Sequence, residues 1–292
     1  MFEKFKANIF FNKLLQRPDI NKAYAMVPET DAWYATIKKV HESLDEISKK
    51  PHETLEITSH DNLKLKGIYY PGNSDVTVIC THGYTSHAER EWAFPGLFYL
   101  SLGYNVLIPY QRAHGISEGQ YITFGALEQQ DMRGWVNMVN EMNPTGKIIL
   151  HGLSMGGGIL LFLSDKEMDN VKCLVVDAPN VSIENVFKDI SKEVFKRGAD
   201  KVAAFATKRF EKEFDCDIKK FEALDIVSNG KYPILLSAGS EENMEELFDK
   251  IKEANPMDTA QIILPGCNHG NGMYKQTKMY QEAIKEFVEK WV

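Results

Sequence analysis

The stretch KIILHGLSMGGGILL, residues 147–161, runs an apolar strand-like segment straight into a glycine-rich, apolar helix-like segment, with one serine, Ser154, at the junction. Few folds accommodate such a passage. A chain that turns directly from a buried strand into a buried helix brings the two backbones close together. Side chains beside the junction then collide, and Gly152 and Gly156 stand two residues before and two after Ser154. Two readings compete. One is a glycine-rich turn whose serine caps the helix. The other is a strained turn that exists to hold a hydroxyl at the head of a helix, beside free backbone N–H groups and a partial positive charge.

The surrounding pattern sets the architecture. TLEITSHDNLKLKGIYYP alternates on both sides of HDN and reads as a β-hairpin. From Val76 onward, short continuous apolar runs (VTVICTH, NVLIPY, KIILHG, VKCLVVDAP, PILLSAG, AQIILPG) alternate with helical segments. Continuous apolar runs suit strands buried on both faces. Hairpin plus six strands predicts an α/β fold with a mostly parallel, eight-stranded, doubly wound sheet. Residues 182–228 break the alternation with charged, helix-like sequence and read as a small helical cap inserted between strands 6 and 7, at the sheet end where open α/β sheets bind ligands. The expected division is a helical N-terminal extension over 1–50, a core over 51–181 and 229–292, and the cap over 182–228. No catalytic pattern is read in the extension. Its apolar start suits an amphipathic helix packed on the body or a dimer contact.

Bulk properties exclude several classes. In 292 residues, 43% are apolar and 26% charged, an ordinary globular balance, and the net charge of −7 offers no basic face for nucleic acid. No apolar run reaches the ~20 residues of a membrane span. Cys80, Cys173, Cys216 and Cys267 show no CxxC or metal spacing and read as free thiols, which with no secretory signal points to the cytoplasm.

A serine hydroxyl attacks a carbonyl only when a base takes its proton and donors hold the oxyanion. His269, in Asn268-His269-Gly270 after the final strand, is positioned as the base. The acid belongs after PILLSAG, where Glu241 and Glu242 are adjacent. In an extended loop they point to opposite sides, so one of them reaches the histidine. Glu242 is the first candidate and Glu241 the second. Asp177, at the end of VKCLVVDAP, is the third. The oxyanion donors would be the N–H groups of Met155 and of Tyr84, in the turn THGYTS that follows the first parallel strand.

These residues carry a resemblance to the α/β-hydrolase superfamily, and more narrowly to bacterial esterase-like and serine aminopeptidase-like hydrolases of the YqkD type. THGYTS (81–86), YQRAHGISEG (110–119), HGLSMGGG (151–158), DAP (177–179) and NHG (268–270) match from about residue 54 to 292. The order Ser, acid, His is that of the superfamily. The chain departs from the family in two places. Tyr110 stands where an Asp is usual, and GSEE replaces a Gly-Asp-x-Asp run, with the following Val-Pro segment missing. Arg112-Ala113-His114-Gly115 reads as a structural loop. The resemblance implies a serine esterase that needs no cofactor and no metal and takes a small-molecule ester or acyl substrate. The alternatives are an aminopeptidase or acylaminoacyl-peptidase, a thioesterase, and a non-enzymatic ligand-binding member. A carboxylate-nucleophile dehalogenase is excluded by Ser154. Phe187, Phe195, Phe205, Phe210 and Phe214 either pin the cap to the body or line an apolar acyl site.

Overall fold

A computed structural model describes residues 2–292. Its eight strands are β1 (Glu53–Thr58), β2 (Lys64–Tyr70), β3 (Val76–Thr81), β4 (Asn105–Pro109), β5 (Lys147–Leu153), β6 (Val171–Asp177), β7 (Ile234–Gly239) and β8 (Thr259–Leu264), joined in one sheet in the order β1-β2-β4-β3-β5-β6-β7-β8. The hairpin pairs antiparallel, β2 pairs antiparallel with β4, and all other pairings are parallel. The chain moves outward from β3 to β4 and then returns to the other side of β3 as β5. That reversal puts the carboxyl ends of β3 and β5 side by side at a topological switch point, where open sheets of this kind hold ligands.

The helices are α1 (Phe2–Leu15), α2 (Tyr34–Ile47), α3 (Ala88–Ser101), α4 (Glu128–Met142), α5 (Met155–Phe162), α6 (Ile183–Val194), α7 (Ala199–Phe214), α8 (Ala223–Val227), α9 (Glu245–Ala254), α10 (Gly272–Lys275) and α11 (Thr277–Val288). Successive strand residues point to opposite faces. Ile79, Leu107, Leu150, Leu174 and Leu236 enter one core with α4, α5, α8 and α9. Val78, Val106, Ile149, Val175 and Leu235 enter the other with α2, α3, α10 and α11. Every residue of β3 is buried, whereas the edge strand β1 is largely exposed, which is why the inner strands read as continuous apolar runs.

The N-terminal 50 residues are only partly helical. Between α1 and α2 lie a short 3-10 turn, Ile20–Lys22, and an irregular stretch. Pro18 and Pro28 break helical hydrogen bonding, and the freed carbonyls are taken up by the body of the protein. Arg90 Nη1 donates to the carbonyls of Asn21 (3.2 Å) and Ala23 (2.8 Å). α1 is an internal brace: Phe10 meets Phe187 and Phe195 edge-on at 6.2 and 6.0 Å, and Phe11 stacks on Phe214 at 6.3 Å. Phe187 and Phe210 are fully buried, each worth about 2 kcal/mol of apolar burial, while Phe205 is exposed. α6 and α7 therefore form one layer with α1. α8 instead packs on α5 and buries Ala223 and Val227 in the main core. Among the described residues no helix is long and apolar enough to cross a membrane, and all four cysteines are free thiols.

Candidate active site

Ser154 ends β5 and precedes α5 with φ 57° and ψ −114°, a conformation a side-chain-bearing residue adopts only under strain, at a cost of about 1–3 kcal/mol. The glycines make the turn feasible. A Cβ on Gly152 would fall 2.5 Å from the Gly156 carbonyl, and one on Gly156 would land on the Thr81 carbonyl. The backbone is locked by Ser154 N–H donating to Asp177 O at 2.8 Å. The serine does not cap its helix through its side chain. Its Oγ instead lies 2.9 Å from His269 Nε2.

His269 lies in the loop between β8 and α10, with Nδ1 2.7 Å from Glu242 Oε1. A carboxylate accepts hydrogen bonds, so Nδ1 carries the proton and Nε2 is left to accept from the Ser154 hydroxyl. The bond to Glu242 raises the pKa of His269 above the ordinary 6.5, against the opposing effect of burial. Glu242 is held in turn: its Oε2 accepts Gly239 N–H at 2.8 Å. The segment Ser240–Glu242 is a 3-10 turn, not the extended loop expected from the sequence, because this bond draws Glu242 back over Gly239, the glutamate half of a capping box. Glu241 is exposed and contributes its backbone N–H to Cys267 O. Asp177 is not brought to His269. Its carboxylate bonds His151 Nε2 at 3.0 Å and accepts from Ser237 and Tyr280.

Met155 N–H heads α5 and has no carbonyl one turn back within the helix. Tyr84 follows β3 in a turn braced from several sides. Its hydroxyl donates to Leu14 O at 2.7 Å, and its ring stacks on Phe124 at 5.0 Å. His82, kept neutral by burial, donates to Gly83 O and accepts from Gln111 N–H. His114 packs edge-on against His82, and burial lowers its pKa to about 4, so it belongs to the wall and not to the Ser154 cluster. Arg112 in the same loop clamps Asp61 and Asp131. His60, Asp61 and Asp131 place ligand atoms within 4.8 Å of one another, but that guanidinium bonds both carboxylates, so the cluster is an ion pair in place of a metal cradle.

Two cavities open beside Ser154 and His269. One, of about 420 Å³, is walled by Tyr24, Trp33, Thr85 and Glu91. The other, of about 700 Å³, is walled by Phe124, Val186, Ile190, Met244 and Leu247, with polar groups at its rim. Tyr24, Trp33 and Glu91 are site residues that the sequence reading missed. Tyr24 and Trp33 arrive through the irregular N-terminal segment and carry no local signal. Glu91 carries one: it sits at helical spacing among Ala88, Trp92, Pro95 and Tyr99, a charged residue on an apolar face.

Residues 72–216 match the family described as serine aminopeptidase, S33. The chain is 32% identical to the uncharacterized protein YqkD of Bacillus subtilis over 48% of its own length and 46% of that protein. It is 23% identical to protein bem46 of Schizosaccharomyces pombe over 60% of its length and 58% of that protein. The matched region thus spans about half the length of these curated relatives. In structure it superposes on an esterase of Pyrococcus furiosus with a TM-score of 0.66 and 25% identity, covering 95% of this chain and 98% of that one. Those likenesses, with the eight-stranded sheet and its order, agree in one assignment: the chain belongs to the α/β-hydrolase superfamily.

Proposed function

We propose that the protein is a serine hydrolase that cleaves carboxylic esters through an acyl-enzyme. The observation that carries this is the continuous Ser154–His269–Glu242 hydrogen-bond chain on a strained turn beside an open cavity. His269 Nε2 takes the hydroxyl proton as Ser154 Oγ bonds to the carbonyl carbon. Glu242 stabilises the imidazolium that forms, and the N–H groups of Tyr84 and Met155 hold the oxyanion. The imidazolium then gives its proton to the leaving alkoxide as the carbon–oxygen bond breaks. Water, deprotonated by the same nitrogen, releases the acid. The mixed walls of the larger cavity suit an acyl or alkoxy group of modest size. Thioesters are open to the same steps. The proposal includes a cytoplasmic location, which the free thiols support, and a small-molecule substrate.

A second reading, an aminopeptidase or acylaminoacyl-peptidase, is favoured by the family match over residues 72–216. Comparing p-nitrophenyl esters of increasing acyl length with aminoacyl p-nitroanilides separates the two. Turnover of short-chain esters with little anilide cleavage supports the esterase. The reverse ranking supports the peptidase, and no turnover of either removes both.

A further inference from the structure

Glu91 is 2% exposed, in the first turn of α3. Burying a carboxylate is costly unless a cation or strong donors compensate. The groups that bond to it are neutral: Gly83 N–H at 2.9 Å, Tyr24 OH at 3.2 Å and the Ser86 hydroxyl beside it. His269, when protonated, is the cation that acts on it, and burial raises the pKa of Glu91 to about 7. Each carboxylate oxygen has room for two donors, so acceptor capacity remains. That capacity borders the cavity of about 420 Å³ that also holds Ser154 and His269. The point where a Cβ would stand on Gly83 is 3.5 Å from both Glu91 Oε2 and Ser154 Cβ. The two side chains are therefore separated by at most twice that distance. Tyr24 and Trp33 line the same cavity with aromatic surface, which suits a cation.

We propose that Glu91 receives a protonated amine of the substrate, so that the enzyme prefers esters bearing a primary ammonium within a few bonds of the scissile carbonyl. The ammonium supplies the cation that the buried carboxylate lacks while His269 is neutral, and the carboxylate anchors the carbonyl over Ser154. This rests on the serine-hydrolase reading above and concerns its selectivity. The amine belongs either to the acyl group or to the leaving group.

Two substrate pairs distinguish those sources: methyl 2-aminobutyrate against methyl butyrate, and 3-aminopropyl butyrate against propyl butyrate. The quantity read is the ratio of kcat/KM, amine over neutral, for the wild type and for Glu91→Gln, which keeps a carbonyl oxygen for Gly83 N–H. The expected wild-type ratio is roughly tenfold or more in one pair, as for a desolvated charge-assisted hydrogen bond, and it collapses toward one in Glu91→Gln. A Glu91 that only braces the Gly83 loop or supports the His269 imidazolium would slow both members of a pair alike and leave the ratio in place, which overturns the inference. A wild-type ratio of one or less in both pairs also overturns it and does not depend on the variant folding. Fluorophosphonate labelling of Ser154, run alongside, separates the levels. Labelling without amine preference sinks this inference alone. Neither labelling nor turnover sinks the serine-hydrolase reading and takes this inference with it.

Discussion

Two chains of hydroxyl, imidazole and carboxylate lie back to back at the β5–α5 junction. In the outer one, Ser154 Oγ is 2.9 Å from His269 Nε2, and Nδ1 is 2.7 Å from Glu242. In the inner one, Tyr99 OH is 2.8 Å from His151 Nδ1, and Nε2 is 3.0 Å from Asp177. The residue chemistry is nearly the same and the distances differ by tenths of an ångström. The surroundings are opposite. His151 and Tyr99 are fully buried, and the Trp92 ring packs on His151 at 4.6 Å. The side chain of His269 is 56% exposed, between two cavities. The inner chain ties α3, β5, β6, β7 and α11 together behind the turn and lines neither of those two cavities. The outer one has a hydroxyl on strained backbone and open space on either side. A hydroxyl, an imidazole and a carboxylate in line are therefore not by themselves a catalytic site. Access and the geometry of the backbone set the outer line apart.

This contrast can be broken by substituting one chain at a time. Ser154→Ala is expected to lower ester hydrolysis by roughly 10⁴-fold or more while moving the denaturation midpoint little, because alanine fits the same turn. A rate within tenfold of wild type would break the outer half of the comparison. Glu242→Gln is expected to cost roughly 10³-fold in kcat by disfavouring the correct imidazole tautomer. Glu241→Gln should stay within about twofold, and steady-state kinetics on both variants decides between them. Asp177→Ala acts on the inner chain. It strands His151, Ser237 and Tyr280 and should lower folding stability by about 3 kcal/mol or more. Urea denaturation reads this, and an unchanged midpoint would show that the inner network is dispensable.

The smallest expected effect is on pH dependence. His269 must be neutral to take the proton, and the Glu242 carboxylate raises its pKa above 6.5 by favouring the imidazolium. The rate kcat/KM should therefore rise with pH through a midpoint above 6.5. In Glu242→Gln, any residual activity should show its midpoint moved to lower pH, since the amide cannot stabilise the charged ring in the same way. A midpoint that stays in place would remove Glu242 from its assigned partner.

The sheet was legible because each inner strand is covered on both faces and so appears as a continuous apolar run between helices. Ser154 and His269 were legible because the fold offers one place for each, after the fifth and eighth strands. The choice between Glu241 and Glu242 was blurred by treating their loop as extended. The cue was local: a glutamate three residues after Gly239 can reach back to its N–H, as in the glutamate half of a capping box, and that bond holds Glu242 toward His269. The irregular segment between α1 and α2 was not legible, since Arg90 fixes its shape through contacts 67 and 69 residues away in sequence. Glu91 stood in view as a charge on an apolar helix face, yet only the packing of Tyr24 and Gly83 against it shows that it borders the site.

The central claim, that the outer hydroxyl is a nucleophile and the inner network is scaffold, is met most directly by fluorophosphonate labelling followed by peptide mass mapping. The account predicts a single phosphonyl adduct on the peptide that contains Ser154, abolished in Ser154→Ala. An unmodified protein, or an adduct that persists in Ser154→Ala and maps elsewhere, would contradict it.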